Sequence, residues 1–446
     1  MHDLSSLTRS LLDEARKAGA EAADALAVTG NSQSIDIRRG ALEQAERSEG
    51  VEVGLRVLLG GRQACVSASD ISPATLARLA ERAVAMAREA PQDPTVGLAA
   101  TDQLAQGWDL AALDLCDPTA EPEPQALEAA ARAVEAAAQD TAGITQVEAS
   151  AGWSSQSMHL ATSGGFSGGY SRSSHSLSAV AFTGSGTQME RDWAGESRIH
   201  ASDMPTASEI GTLAATRTLE RAGSVKPPTG AFPVLFDERI AASLIGHLLS
   251  AINGASIARG ASWALDLLGK AVLPPTMSLI EDPHRPRISG SRPFDGEGLP
   301  TGRRMIVQDG ALMSWTLDLG TARKLGLQST ANASRGTSSP PSPSTSNVEL
   351  TPGAASRADL IRDMGTGLLV TSMIGATINP TTGDYSRGAA GFWVENGELK
   401  YPVNECTIAG NLRDMLRGMT AANDAKPHHS TRVPSLLVEG LTLAGA

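Results

Sequence analysis

VEVGLRVLLGGRQACVSASD, Val51 to Asp70, decides the fold. Val51, Val53, Leu55 and Val57 alternate with Glu52, Gly54 and Arg56, the period-2 pattern of a strand with one buried face. The Gly60-Gly61 pair then punctuates a turn, and RQACVSASD reads as the next strand. So short a connection favours antiparallel pairing, and antiparallel strands beside helices give an α+β layer.

Working outward, DALAVTG and SIDIRRG upstream read as two further strands, preceded by a helix at Leu4 to Ala18 with leucines at positions 4, 7, 11 and 12. Downstream, Ser72 is a natural N-cap with Pro73 at the first helical position, and the helix runs to about Ala90, before APQDP. The same order recurs. A helix over Pro124 to Gln139 leads into GITQVEASAGW, SQSMHLATS, SRSSHSLSAVAFTG and TQMERDWAGESRI, and a helix over Pro205 to Ala222 closes the unit. Residues 1–225 therefore read as an α+β domain holding a pseudo-repeat of helix, four strands and helix, about 1–95 and 120–225.

After Gly223 the texture changes. RAGSVKPPTGAFPVLFD carries three prolines in seven residues and reads as a linker into a second domain, residues 226–446. Its first helix is FDERIAASLIGHLLSAING, Phe236 to Gly254, and the remainder reads as β-rich hairpins, with Asp-Gly and Asn-Gly turns in VQDGAL and VENGEL. A loop dense in serine and proline, STANASRGTSSPPSPSTSNVEL at 329–350, is long enough to be read as a lid or a peptide-contacting segment.

Composition narrows the function classes. Net charge is -12, with no basic cluster to follow a phosphate backbone, so direct nucleic-acid binding is not expected. No apolar run approaches a membrane span, and the N-terminus has no continuous apolar core of a signal peptide; the expected location is the cytoplasm. Cys65, Cys116 and Cys406 are odd in number and far apart, and are expected to be buried thiols.

The helical metallopeptidase signature, two histidines one turn apart with a glutamate beside the first, is absent. The histidines are His2, His159, His175, His200, His247, His284, His428 and His429. On a strand, His428 and His429 would point to opposite faces and chelate poorly together. No GxSxG elbow is present, and GGFSGGYSRSSHS, Gly164 to Ser176, reads as a glycine-rich hairpin. The densest polar turn is INPTTGDYSRG, where Arg387 is within reach of pairing with Asp384.

TTGDYSRGAAGFWVENGELKYPVNECTIAGNL, Thr381 to Leu412, resembles the C-terminal signature of the TldD/PmbA family, in its PmbA (TldE) branch. GLRVLLGGRQA, ATSGGFSGGYSRSSHS, MERDW and ASRGTSSPPSPSTSNVEL carry the resemblance through the rest of the chain. It implies a two-domain subunit of a heterodimeric, zinc-dependent peptidase acting on unfolded or modified peptides. In that pair the TldD-like partner carries the zinc motif. The matching helix here, LIGHLLSAIN, has leucines and serine instead, and KPHHSTRVP lacks the partner's late cysteine.

The resemblance thus implies a chain with no catalytic residue and no metal of its own, zinc being expected in the partner. Thr381, Gly383, Asp384, Tyr385 and Arg387 are its candidates for contact with substrate or partner. A homodimer is the expected alternative where the partner is absent. Two other readings stand beside it: a regulatory protein of the gyrase-modulator type, and a divergent metallohydrolase using His247 with His428 or His429.

Overall fold

Asp3, which accepts the amides of Ser5 and Ser6, caps α1 (Leu4–Lys17) and sends the chain into β1 (Ala22–Arg38), β2 (Ala41–Leu59) and β3 (Arg62–Ala68). Ser72 caps α2 (Pro73–Glu89) through the amide of Thr75. The second unit holds α3 (Pro124–Gln139), β4 (Ile144–Thr162), β5 (Ser167–Thr183), β6 (Glu190–Arg198) and α4 (Ala207–Glu220). Thr206 and Glu209 cap α4 reciprocally. The computed structural model describes residues 3–446, with Ala376 by its backbone alone; His2 lies outside the described residues.

The α+β class holds, but each unit contributes three strands where the sequence suggested four. DALAVTG and SIDIRRG are the two ends of β1, and GITQVEASAGW and SQSMHLATS the two ends of β4. The polar middles of these strands are where β1 and β4 pair at the centre of one antiparallel sheet, order β3-β2-β1-β4-β5-β6. There the helices no longer cover the sheet, so alternation lapses while the ladder continues. ALEQAERSEG, the exposed first half of β2, is likewise strand held by pairing to β1 alone.

At the end of the sheet under α1 and α2, both faces are covered. Ala23, Ala25 and Ala27 pack under α1 and α2, while Leu26 and Val28 face Phe294 of the C-terminal region, with Trp108, Phe166 and Tyr170 around that ring. At the opposite end α3 and α4 pack on β4, β5 and Ala194 of β6.

The C-terminal region begins with β7 (Gly230–Phe236) and α5 (Glu238–Ala251). Its last strands, β8 (Gly367–Ile378), β9 (Asp384–Glu395), β10 (Glu398–Asn411) and β11 (Leu436–Ala444), close with β7 into a barrel, β8-β9-β10-β11-β7. β7 joins β8 in parallel and β11 antiparallel, and β10–β11 pairing closes the ring. Asn396 and Gly397, both at positive φ, turn β9 into β10 as VENGEL suggested; Asp309 and Gly310 do the same in VQDGAL. Leu244, Ile245 and Leu248 of α5 sit in the largest core with Val234, Val370 and Trp393.

The serine- and proline-rich loop is a packed strap rather than a lid. Ala333–Ser334 pairs with Ser342–Pro343, and Val348–Leu350 adds to Leu279–Glu281. At its tip Arg335 crosses to the first sheet and meets Asp24, which also holds Arg56 at 2.5 and 2.7 Å; all three side chains are buried. Arg335 has only 2% of its side chain exposed. Next to them the strap backbone at Thr337 lies on Gly54, where any Cβ would overlap the Thr337 carbonyl. Glycine at 54 is the residue that permits this close approach.

Candidate functional site

β6 is the last strand of the first sheet: β5 pairs with one edge, and among the described residues no strand pairs with the other. Asp192 and Ala194 point inward, and Trp193 between them is 54% exposed, as strand alternation requires. Asp192 is fixed from below by Arg239 at 3.4 Å and by the Thr218 hydroxyl, which receives the Asp192 amide at 3.1 Å. The strand that carries Trp193 is therefore held from beneath, and along its unpaired edge Thr218 and Arg217 donate to the carbonyls of Asp192 and Trp193.

Clefts border this strand. One, of about 580 Å³, lies between β6 and the barrel and is lined by Met189, Trp193, Ile374, Ala389 and Cys406. Met189 and Ile374 are 54% and 77% exposed, so apolar surface rims the opening. A second, of about 540 Å³, carries Trp193, Glu196, His428 and His429, with several serine hydroxyls.

At that second cleft the chain brings together Glu196 of β6 and the two adjacent histidines. His428 is in a turn rather than on a strand, so the two rings are not sent to opposite faces; they meet edge to face, 4.6 Å between centroids. Donor atoms of Glu196, His428 and His429 all lie within 4.8 Å of one another. Sequence analysis names the two histidines and passes over Glu196, which lies 232 positions from His428, three residues beyond the MERDW segment. Burial lowers both imidazole pKa values, that of His428 to about 4, helped by Arg198. Glu196 itself is pushed up by burial, but the 2.7 Å bond from Arg198 and the nearby cations hold it below the usual carboxylate range.

His247 is not a member of that group. It is half-buried on α5 with its ring edge-to-face on Tyr385 at 5.8 Å, and its Nε2 has no hydrogen-bond partner. Of the other described histidines, His159 bonds Thr8, His200 bonds Asp114 and His284 bonds Thr301, while His175 Nε2 lies 3.2 Å from Asp117 without a hydrogen bond.

The residues singled out in the INPTTGDYSRG turn separate. Gly383, at φ +81°, is buried against Trp263, and Tyr385 is 2% exposed, its hydroxyl on Met373 Sδ at 3.3 Å. Burial pushes the Tyr385 hydroxyl up to about 12. Thr381 and Asp384 are exposed, and Arg387 is half-buried. The suggested Asp384–Arg387 pair does not form. Asp384 accepts from Thr382 and Asn411 at 2.6 and 3.1 Å, and Arg387 Nε donates to the Gly375 carbonyl at 2.7 Å. None of the five lines the cleft beside β6.

The cysteines divide as well. Cys406 is buried, its Sγ 3.2 Å from the Ala389 carbonyl and its thiol pushed up to about 11 by burial. Contrary to expectation, Cys65 is half-buried and Cys116 exposed. Among the described residues no helix is long and apolar enough to cross a membrane.

Comparison with known proteins agrees with this architecture. Family models for PmbA/TldA metallopeptidases match three stretches: domain 1 over residues 23–87, the central domain over 117–222 and the C-terminal domain over 229–445. The chain is 38% identical over 414 residues to metalloprotease PmbA of Escherichia coli O157:H7, covering 92% of this chain and 90% of that one. A solved structure from Bacteroides thetaiotaomicron, described as a candidate modulator of DNA gyrase, superposes with a TM-score of 0.93 at 27% identity over the whole of both chains. TldE from Thermococcus kodakarensis shares the fold, TM-score 0.84 at 20% identity, over 98% of this chain and 100% of that one.

Proposed function

Since this chain belongs to the PmbA/TldD metallopeptidase family, we propose that it is the substrate-holding subunit of a heterodimeric zinc peptidase whose catalytic zinc is carried by a TldD-like partner. Unfolded or modified peptides are its substrates. The observation that carries this reading is Trp193, exposed beside an apolar-rimmed cleft on β6, an edge that no described strand pairs and that Thr218 and Arg217 occupy only at Asp192 and Trp193. An extended peptide can add to such an edge through backbone hydrogen bonds, while its alternate side chains fill the clefts on either side.

The helix that would have to hold catalytic zinc does not fit the ion. One turn from His247 stand Ser243 and Ala251, and the neighbouring ring is that of Tyr385. A neutral hydroxyl and a phenol above its normal range are weak zinc donors compared with imidazole, thiolate or carboxylate. No hydrolytic step is assigned to this chain on its own.

The test uses both subunits. The isolated chain is expected to cleave no unfolded peptide, and addition of a TldD-like subunit to give cleavage that a chelator abolishes. Trp193→Ala in the reconstituted pair is expected to raise KM about tenfold, for the loss of a ring stacked on substrate, with kcat little changed. Peptide cleavage by the isolated chain, or an unchanged KM in the variant, would contradict the proposal.

A further inference from the structure

The Glu196, His428 and His429 group joins two parts of the chain that are remote in sequence, β6 of the first sheet and the turn that precedes β11. Nε2 of His428 is 3.2 Å from Oε2 of Glu196, yet that nitrogen is buried and makes no hydrogen bond, because the contact is out of line for one. Two donors at this spacing that do not share a proton are spaced like neighbouring ligands of one ion. With metal–ligand lengths of about 2.0–2.2 Å, adjacent ligands in a tetrahedral or octahedral shell stand about 3.0–3.4 Å apart.

We propose that Glu196, His428 and His429 bind one divalent transition-metal ion, zinc by the character of the donors, which pins β6 of the first sheet to the C-terminal region. Two imidazole nitrogens and one carboxylate oxygen suit a borderline cation better than magnesium or calcium, which take oxygen ligands. The adjoining cleft of about 540 Å³ leaves room for water at the remaining position, with Ser176, Ser178, Ser197 and Ser430 on its walls. None of the three ligands lies on α5, and the site does not depend on the peptidase reading.

The Arg198 bond to Glu196 orients the carboxylate from outside the ligand set. Arg198 and Lys426 oppose an arriving dication, but each is already engaged, Arg198 by Glu196 and Lys426 by Glu238 at 2.9 Å. Two carboxylates thus offset two cations before the ion binds.

The test is made on the isolated, untagged chain after chelator treatment and dialysis, with no substrate and no partner. Calorimetric titration with zinc chloride is expected to give about one ion per chain and a higher Tm. Cobalt(II) is expected to show the visible bands of an ion held by nitrogen and oxygen. Glu196→Gln, which keeps size and fold, is expected to weaken zinc at least about tenfold; the His428→Ala/His429→Ala double variant is expected to abolish binding, and His247→Ala to leave it unchanged. Folded wild-type chain that takes up no zinc, or uptake undiminished in Glu196→Gln and in a double variant shown by circular dichroism to be folded, would overturn the site.

Discussion

Replacing Asp24 with alanine is expected to destabilise the chain by about 3–5 kcal/mol, the cost of leaving buried charges without their partner. Asp24 is 2% exposed and lies between Arg56 and Arg335, whose side chains are 4% and 2% exposed. Burial is the strongest single influence on its carboxyl and pushes the pKa up, but the two guanidiniums together hold it below the ordinary value. The sign follows. A carboxyl with a lowered folded-state pKa contributes stability that is present above its unfolded pKa and lost as pH falls through the folded one. The variant should therefore show a Tm many degrees lower at neutral pH and a shallower acid limb in a Tm-against-pH series. It should also expose the strap around Arg335 to limited proteolysis. A neutral-pH Tm within a degree of the parent would mean that the triad contributes nothing.

The second large effect has the opposite sign. Glu297 is 6% exposed, and burial, then Asp295 and Asp318, push its carboxyl up to about 8. An acid raised from 4.5 binds its proton more tightly in the folded chain. Stability from this group is therefore full below about pH 4.5 and declines as pH rises towards 8. Across that window the loss sums to about 4–5 kcal/mol as an upper limit. Glu297→Gln keeps an oxygen for the Leu319 amide, which Glu297 now accepts at 2.9 Å, and removes the ionisation. The variant is expected to match the parent near pH 5 and to exceed it by several degrees in Tm at pH 8.5. Parallel Tm profiles for the two proteins would show that Glu297 ionises freely.

What the sequence made legible was local. Ser72 with Pro73 placed a helix start, because a cap satisfies its own turn. Strand counts failed where the cause was not local. TGNSQS in β1 and SSQS in β4 are polar because the helices end short of the sheet's centre, and their strand conformation comes from a ladder whose partner lies about 125 residues away. The closed barrel was hidden for the same reason, since it depends on β7 pairing in parallel with β8 and on β10 meeting β11. At the candidate site the two histidines could be noticed, but not their carboxylate. Trp193 lay inside a segment already noted for family resemblance, and only the sheet order reveals that its strand is an edge.

The strap gives the molecule a schedule as well as a clasp. Asp24 and Arg56 are made early in synthesis, but Arg335, the second cation on that carboxylate, is polymerised 279 residues after Arg56. At ribosomal rates of about 5–20 residues per second, roughly a quarter to a full minute passes before it can arrive. Through that interval the nascent first sheet has its helices on one face while the face that will meet Phe294 and the strap stays open to water and to chaperones. The last third of the chain is thus needed to finish the first.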